Sequence, residues 1–345
     1  MAKKKQTQKG IYSLTGTSNV ITINSSAMTH SIVEGQVIGN GGAITDMANL
    51  GVSIQQISDT QIKLERYASY SGSVTIHWQI VEYDSNVTVQ RGSASMDTTS
   101  ELVTISTVNL ANTYLKCTTR GGSMPTMLDD GLIEGYFFDA STVGFRCSFP
   151  NITNIVEWQV VESPDFSVQS INAIASNSTY DDITISSVTT AQTRLEISYD
   201  KDTTNIDTNQ LRGARLLDST TVRLSAYASG DCRFSLFVIS DIDITIQRGW
   251  TIVSSNIVNI AILTSPILDS MYHCVGAYSW CVITDPGGNI DQYGFHIIPN
   301  SDTQIALTRR NTTPDAVVSW EVETLSDVVN VNTFIWNNIL MMKRR

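Results

Sequence analysis

The sequence has little charge and no long apolar run. Only 16% of its 345 residues are charged, against a usual share of about 25%, and its polar residues are mostly Ser, Thr and Asn. A stretch of about 18 apolar residues, the minimum for a membrane-spanning helix, does not occur. The hydrophobic fraction of 41% excludes a chain that is disordered throughout. We therefore expect a globular protein with a polar but weakly charged surface and no membrane contact.

Positive charge is scarce and lies mainly at the two ends. The net charge is −11, from 22 basic and 33 acidic residues. Seven of the cations are terminal, which leaves 15 basic against 33 acidic residues, or −18, for the body of the chain. A body this acidic repels phosphate groups, which argues against nucleic acid as a partner.

The sequence also lacks a secretion signal and metal-ligand spacing. The lysine-rich start is followed by a polar segment at residues 10–20, where a signal peptide would be apolar. The five cysteines have no CxxC or Cys/His pattern, so we expect buried, reduced thiols and no cofactor.

One block of about 80 residues is repeated four times. Each copy contains an Asp in a turn and, further on, a strand centred on Trp or Leu. The turn residues are Asp59, Asp139, Asp218 and Asp302, and the strand centres are Trp78, Trp158, Leu236 and Trp320. A third shared segment follows each strand centre; the clearest copies are Val89-Gln90-Arg91-Gly92 and Ile246-Gln247-Arg248-Gly249.

These repeat anchors divide the chain into six parts. We predict an N-terminal arm at 1–16, modules at 17–95, 96–174, 175–253 and 254–333, and a C-terminal tail at 334–345. The joints between modules are short and polar, which is compatible with a beaded rod or a compact ring. Each module is expected to keep its own hydrophobic interior.

Within a module, apolar residues recur at every second position. Ile62 and Leu64 alternate with polar residues, and Val74, Ile76 and Trp78 share a strand face. The pattern predicts an all-β fold of four tandem, small antiparallel β-sandwich modules of immunoglobulin-like size. The Trp of each module is expected to occupy the core. In the third module Leu236 replaces it, and we expect Phe237 or Trp250 to supply the missing volume. The repeated Asp is expected to accept a hydrogen bond from the backbone N–H two residues on.

No group of residues marks one module as catalytic. The four histidines are scattered, and His77 is expected to be exposed. Two acidic sets are candidate binding sites, although turn and edge roles fit them better: Asp231, Asp241 and Asp243 as calcium ligands, and Glu82, Glu162 and Glu323 as a binding row. We therefore expect a protein that is not an enzyme.

The two ends are candidate docking segments. The basic arm lies outside the repeat and should be ordered by an acidic partner. The tail is apolar with a basic end, and it either completes the fourth module or docks on a partner. The candidate docking residues are Lys3, Lys4, Lys5, Phe334, Trp336, Leu340, Lys343, Arg344 and Arg345.

Three segments together resemble tandem β modules in structural proteins of tailed bacteriophages. They are Asp218-Ser219-Thr220-Thr221-Val222, Trp158-Gln159-Val160-Val161-Glu162 and Val89-Gln90-Arg91-Gly92. The resemblance covers residues 17–333. It implies a non-enzymatic virion structural protein, a capsid decoration, head-fibre or tail component that is made in the host cytoplasm and attached through its terminal segments.

The partners implied are other virion proteins, of the capsid, the portal or neck, or the tail, together with further copies of the chain in a homo-oligomer. The alternative function is a receptor-binding or carbohydrate-binding tail-fibre or adhesin appendage, with a host surface glycan as its ligand. Tyr67, Tyr70 and Tyr83 are its candidate contact residues.

Overall fold

The structure is a computed structural model, and its described residues consist of β-strands, three single-turn 3-10 helices and connecting segments. The helices are Met28–His30, Leu110–Asn112 and Thr190–Gln192. The described residues are 4–39, 51–66, 73–121, 132–147, 154–175, 180–201, 213–225, 232–253, 257–261, 271–274, 282–283, 296–301, 304–308 and 316–325.

The first module contains six strands in two three-stranded antiparallel sheets. The strands are β1 (Lys4–Leu14), β2 (Ser18–Thr22), β3 (Ser31–Gly39), β4 (Val52–Ser58), β5 (Gln61–Arg66) and β6 (Val74–Tyr83). The sheet orders are β1-β6-β3 and β2-β5-β4. The first strand therefore pairs with the last and the second with the fifth, which is the winding of a small jelly roll.

The other three modules repeat this arrangement. The second has β7 (Thr88–Met96), β8 (Ser100–Thr104), β9 (Thr113–Arg120), β10 (Glu134–Asp139), β11 (Thr142–Arg146) and β12 (Asn154–Glu162). The third has β13 (Phe166–Ala175), β14 (Tyr180–Thr184), β15 (Thr193–Lys201), β16 (Gly213–Asp218), β17 (Thr221–Ser225) and β18 (Cys232–Asp241). The fourth has β19 (Ile244–Val253), β20 (Ile257–Ala261), β21 (Met271–Cys274), β22 (Val282–Ile283), β23 (His296–Ser301), β24 (Gln304–Thr308) and β25 (Ala316–Leu325).

The sheet orders are β7-β12-β9 with β8-β11-β10, then β13-β18-β15 with β14-β17-β16, then β19-β25-β21 with β20-β24-β23. In the fourth module β22 also pairs with β25 and continues the line of β21. The all-β fold built of small antiparallel sheets, predicted from the period of two, is confirmed.

The strand pairing shows that each module begins one strand earlier in the chain than predicted. The predicted boundaries are 16/17, 95/96, 174/175 and 253/254. β1 pairs with β6 along its whole length, so the segment predicted as an arm is the first strand of module one. In the same way β7, β13 and β19 open the next modules, which therefore span 4–83, 88–162, 166–241 and 244–325.

The physical reason for the displacement is that the first and last strands of a module are neighbours in one sheet. The repeat has the same spacing in the sequence whether a module is taken to start at its first strand or one strand later, so the sequence does not reveal the true start. The true connections between modules are the short segments 84–87, 163–165 and 242–243. The polar segments predicted as joints connect the first and second strands within a module.

The four modules form a closed ring. A side chain on the third strand of one module accepts a hydrogen bond from a backbone N–H on the fourth strand of another. The pairs are Ile54 N–H to Thr118 Oγ1 at 3.3 Å, Gly135 N–H to Ser198 Oγ at 2.9 Å, and Ile297 N–H to Gln36 Oε1 at 2.7 Å. These link modules two to one, three to two, and one to four. β25 also packs against β15 through Glu321 and against β16, which links module four to three. A head-to-tail contact that repeats and closes gives a ring with approximate fourfold symmetry, not a beaded rod.

The expectation of separate interiors is wrong. The buried apolar side chains form two clusters, and each cluster extends over several modules. Leu14, Leu195 and Trp320, from modules one, three and four, belong to one of them. The cause is that the sixth strand is buried on both faces: in β12 every residue from Val156 to Val161 is buried. One face packs inside its own sandwich and the other against a neighbouring module.

Candidate functional site

Each core Trp packs on a glycine of the neighbouring first strand. Trp158 lies opposite Gly92, and the same pairing holds for Trp78 with Gly10 and for Trp320 with Gly249. A Cβ added at Gly92 would lie 2.5 Å from Trp158 Cζ2. Glycine is therefore required there because the indole occupies the place of a side chain.

In the third module, the space that the indole and the glycine share elsewhere is filled by a residue that we did not predict. Leu236 lies opposite Ile171, which replaces the glycine of the other modules. A smaller central residue is thus matched by a larger neighbour. Trp250 does not fill the volume, since it is 54% exposed. Phe237 points to module two, where its ring lies edge-on to Phe137 with 5.9 Å between centroids.

Two of the repeated turn acids accept the hydrogen bond expected of them. Asp139 Oδ1 accepts from Ser141 N–H and Asp218 Oδ1 from Thr220 N–H, both at 2.7 Å. These backbone N–H groups hold the pKa of each carboxyl below its usual value, because they stabilise the charged form. Both side chains therefore stabilise the turns in which they lie.

The first turn is offset by one residue. Ser58 occupies the position of Asp139, and its Oγ accepts from Thr60 N–H at 3.3 Å. Asp59 instead accepts from Met28 N–H at 2.9 Å and so ties the turn to the 3-10 helix of the same module. Asp302 lies outside the described residues.

A repeated glutamine has a role that the sequence analysis missed. In each of the first three modules a Gln on the first strand donates to a backbone C=O and accepts from the N–H of the same residue. The pairs are Gln8 with Asn24, Gln90 with Ser106, and Gln169 with Ser186. The side chain thus continues the pairing that a strand would provide. The recurrence of Gln in the third shared segment is the sequence signal that indicates this role.

A buried polar cluster lies where the modules meet. Arg194 of module three lies with its Nε 3.5 Å from Glu323 Oε2 of module four and donates to Tyr114 Oη of module two at 2.5 Å. Burial raises the pKa of Tyr114 to about 12 and that of nearby Asp241 to about 6. Burial, with the charge of Glu323, also raises the pKa of Tyr83.

Lys116 joins three modules in the same region. Its Nζ lies 3.0 Å from Glu34 of module one and 2.8 Å from Glu196 of module three. Burial would lower the pKa of Lys116, but the two carboxylates together raise it, so the lysine stays charged. This pattern is that of an ion network that fixes the relative positions of modules.

The predicted N-terminal docking residues have an internal role where the structure describes them. Lys4 lies in β1, and Lys5 Nζ is 2.6 Å from Glu82 Oε1 of β6. Lys3 and the tail residues lie outside the described residues; these are Phe334, Trp336, Leu340, Lys343, Arg344 and Arg345. Lys5 thus has an acidic partner on the adjacent strand of its own module, while 64% of its side chain remains exposed.

The repeated glutamates are not solubilising edge charges. Glu82 is buried; its burial would raise the pKa, but Lys5 and Gln6 lower it overall. Glu162, its equivalent, accepts from Asn109 N–H at 2.7 Å and secures the start of a 3-10 helix. Glu323 belongs to the central cluster.

The other candidates for binding chemistry do not come together. Asp243 N–H donates to Asp241 Oδ1 at 2.9 Å in a turn, and Asp231 is outside the described residues. Within the described ranges, no group of three or more His, Cys, Asp or Glu side chains is placed to hold a metal ion. His77 is half-buried rather than exposed, and burial lowers its pKa to about 4.

The cysteines and tyrosines predicted from the sequence are also located in part. Cys117, Cys147 and Cys232 are free thiols, and burial raises the pKa of Cys117 to about 12. Tyr83 is buried and cannot contact a glycan. Tyr67 and Tyr70 lie outside the described residues.

An exposed apolar residue recurs at the end of the fourth strand. The strand register shifts there by one residue in each module, and the bulged residue points outward. In modules one to three this residue is Ile57, Phe138 and Leu217, with exposed fractions of 39%, 62% and 40%. Since the modules are related by rotation, these residues lie at the same height on the ring.

A pocket of about 390 Å³ opens at the junction of modules three and four. Residues 214–217 of β16 form one wall, and residues 248–250 of β19 with 319–321 of β25 form the other. Arg215 lies with its guanidinium carbon 5.4 Å from the centroid of the Trp250 ring. The sequence does not reveal this site because residues 248–250 fall in the predicted module 175–253, whereas β19 pairs with β25 and belongs to module four.

Within the described part of the chain, no helix has the length and apolar character needed to cross a membrane. The chain matches no model of a known protein family, and a comparison with curated proteins gives no significant match.

Proposed function

We propose that the chain is a non-enzymatic structural protein of a tailed-phage virion, a capsid decoration protein or a surface component of the head or tail. The resemblance of its repeated segments supports the phage assignment. The ring supports the structural role, since its modules are joined by buried contacts rather than by flexible joints.

The repeated junction is the observation that carries the proposal. The same third-strand to fourth-strand hydrogen bond occurs at three of the junctions, and buried ion pairs cross between modules. Such a ring is a rigid block with its polar network inside, which suits a part that must keep its shape within an assembly.

The exposed apolar row formed by Ile57, Phe138 and Leu217 supports a homo-oligomer. Apolar residues that repeat at one height on a ring fit a partner with the same spacing. A second copy of this ring, packed face to face, has that spacing. Attachment through residues 1–16 is not part of the proposal, because Lys4–Leu14 is a strand of module one; attachment through 334–345 is retained.

Quantitative mass spectrometry of purified particles of the encoding phage tests the proposal. We expect the chain at a fixed stoichiometry, and we expect deletion of 334–345 to remove it from particles while its thermal unfolding is unchanged. Absence of the full chain from particles would refute the virion role.

The face-to-face contact has its own test in sedimentation velocity. Ile57→Ser, Phe138→Ser and Leu217→Ser together should convert paired rings to single rings. The matched control is Val20→Ser with Leu102→Ser, two residues of similar exposure on the second strands, which should leave the pairs intact. Single rings in the unmodified protein would contradict the contact.

One observation favours the second candidate, a carbohydrate-binding appendage. The pocket between modules three and four has an exposed Trp at its rim, a feature that the other described junctions do not share.

A further inference from the structure

Two buried donors in the pocket have no acceptor among the described residues. Trp320 is only 7% exposed, and its Nε1–H makes no hydrogen bond; Arg215 Nε–H is likewise buried without one. Trp320 Nε1 lies on the side of Gly249, 3.2 Å from where a Cβ would be. A buried donor without an acceptor is costly, so the wall of the pocket holds two under-satisfied donors, although neither nitrogen has surface that a ligand could contact.

The other polar groups of the pocket are already paired. Arg248 donates from Nε to Glu321 Oε1 at 3.1 Å and from its other nitrogens to the C=O groups of Thr190 and Thr193. Glu321 Oε2 accepts from Leu195 N–H at 3.2 Å. The charges of Arg248 and Glu321 therefore neutralise each other. The charge of Arg215 is the one in the pocket lining that no ion pair among the described residues compensates.

The acidic neighbour of Arg215 does not neutralise it at short range. Asp182 is held by two nitrogens of Arg223, each at 2.6 Å. Arg215 instead faces the Trp250 ring, so its remaining donors are available to an anion at the mouth of the pocket. The site thus favours a negatively charged ligand.

Trp250 supplies a flat apolar surface beside this charge. It is 54% exposed and lies on edge strand β19. The C–H face of a pyranose ring stacks on such a surface while its hydroxyl groups stay free for hydrogen bonds. A volume of about 390 Å³ is within the range of small-ligand sites.

We infer that the pocket between modules three and four binds a sugar that carries a carboxylate, such as a hexuronic acid. Trp250 stacks on the sugar ring and Arg215 pairs with the carboxylate. The site does not depend on the proposed virion role.

The corresponding place between modules one and two is an internal comparison. Ser93 stands there instead of Trp250, and Gln55 instead of Arg215. Arg91 donates to Gln56 Oε1 at 3.0 Å across that junction, where module three has Leu216. The indole Nε1–H of Trp158 is buried without a hydrogen bond to a described residue, as that of Trp320 is, so the junction of modules three and four differs from that of modules one and two in its stacking surface and its anion contact.

Titration of the full chain with glucuronate tests the inference, with calorimetry and the fluorescence of Trp250 as readouts. We expect saturable binding, with glucose and benzoate binding about tenfold more weakly because each lacks one of the two recognised groups. The chain has six Trp residues, so selective ¹⁵N labelling of the indoles gives a direct third readout: Trp250 Nε1–H should shift on binding.

Two variants and a control complete the test. Trp250→Ala should weaken glucuronate binding by about tenfold or more, and Arg215→Gln should do so for glucuronate while leaving glucose unchanged. Leu102→Ala, which removes an exposed apolar side chain on β8 outside the pocket lining, should leave glucuronate binding unchanged. The inference is overturned if glucuronate does not bind, if benzoate binds equally well, or if Arg215→Gln has no effect. None of these outcomes bears on incorporation into particles.

Discussion

The size of the central residue of a module is matched to that of the residue opposite it, so substitutions at the two positions in module three should have non-additive effects on the free energy of unfolding. There Leu236 and Ile171 stand where the other modules have Trp and Gly. Leu236→Trp alone forces an indole against Ile171, and overpacking of this kind costs about 1 to 3 kcal/mol. Ile171→Gly alone leaves a cavity and a glycine within a strand, at about 2 kcal/mol for a partly buried side chain.

The double variant recreates the arrangement of the other modules. The added indole then occupies the place vacated by Ile171, so the free energy of unfolding should exceed the additive value by about 1 to 3 kcal/mol. Urea unfolding followed by circular dichroism and fluorescence measures all four proteins of the cycle. The reverse exchange in module two, Gly92→Ile with Trp158→Leu, is the matched control and should show the same sign. Additive losses in both cycles would refute the size-matching argument.

Three further predictions concern the ring interior, its pH response and the first strand. Glu323→Gln should destabilise the protein by about 3 to 5 kcal/mol because it leaves the buried Arg194 without its carboxylate, whereas Arg194→Ile with Glu323→Val should be near neutral by urea unfolding; equal losses in both would contradict the buried pairing. The pKa of Asp241 is about 6 in the folded protein and 3.8 in the unfolded chain, so the folded state favours the neutral acid. Its contribution to stability is thus complete below pH 3.8 and is lost as pH rises to 6; the stability difference from Asp241→Asn should change across this window, and a constant difference would contradict it. Deletion of residues 1–14 removes β1 and exposes the edge of β6, so the truncated chain should aggregate or lose cooperative unfolding, whereas a dispensable arm would leave the melting curve unchanged.

The features that the sequence predicts well are local. The alternation of Ile62 and Leu64 with polar residues identifies a strand with one buried face, because successive side chains point to opposite faces. The turns at Asp139 and Asp218 follow from side-chain chemistry within two residues. Such features need no knowledge of what lies across the sheet.

The features that the sequence does not predict depend on contacts between distant segments. The boundary of module one is obscured because β1 and β6 are neighbours, so the repeat has no linear start. The period of two predicts one buried face for the sixth strand, but in β12 Glu157 and Gln159 on the other face are buried too, and Gln159 bonds to Val33 of module one. Arg215 and Trp250 both fall in the predicted module 175–253, but the pairing of β19 with β25 places Trp250 in module four, so the pocket depends on how two modules pack.

Small-angle X-ray scattering of the single ring, prepared as the variant with Ile57→Ser, Phe138→Ser and Leu217→Ser, tests ring closure most directly. A compact chain of this length has a radius of gyration of about 20 Å, whereas four modules in line would exceed roughly 30 Å. We predict a value near the lower figure for the single ring, unchanged between low and high salt because the junctions are buried. A radius near the higher figure, with the scattering profile of an elongated particle, would contradict the closed ring.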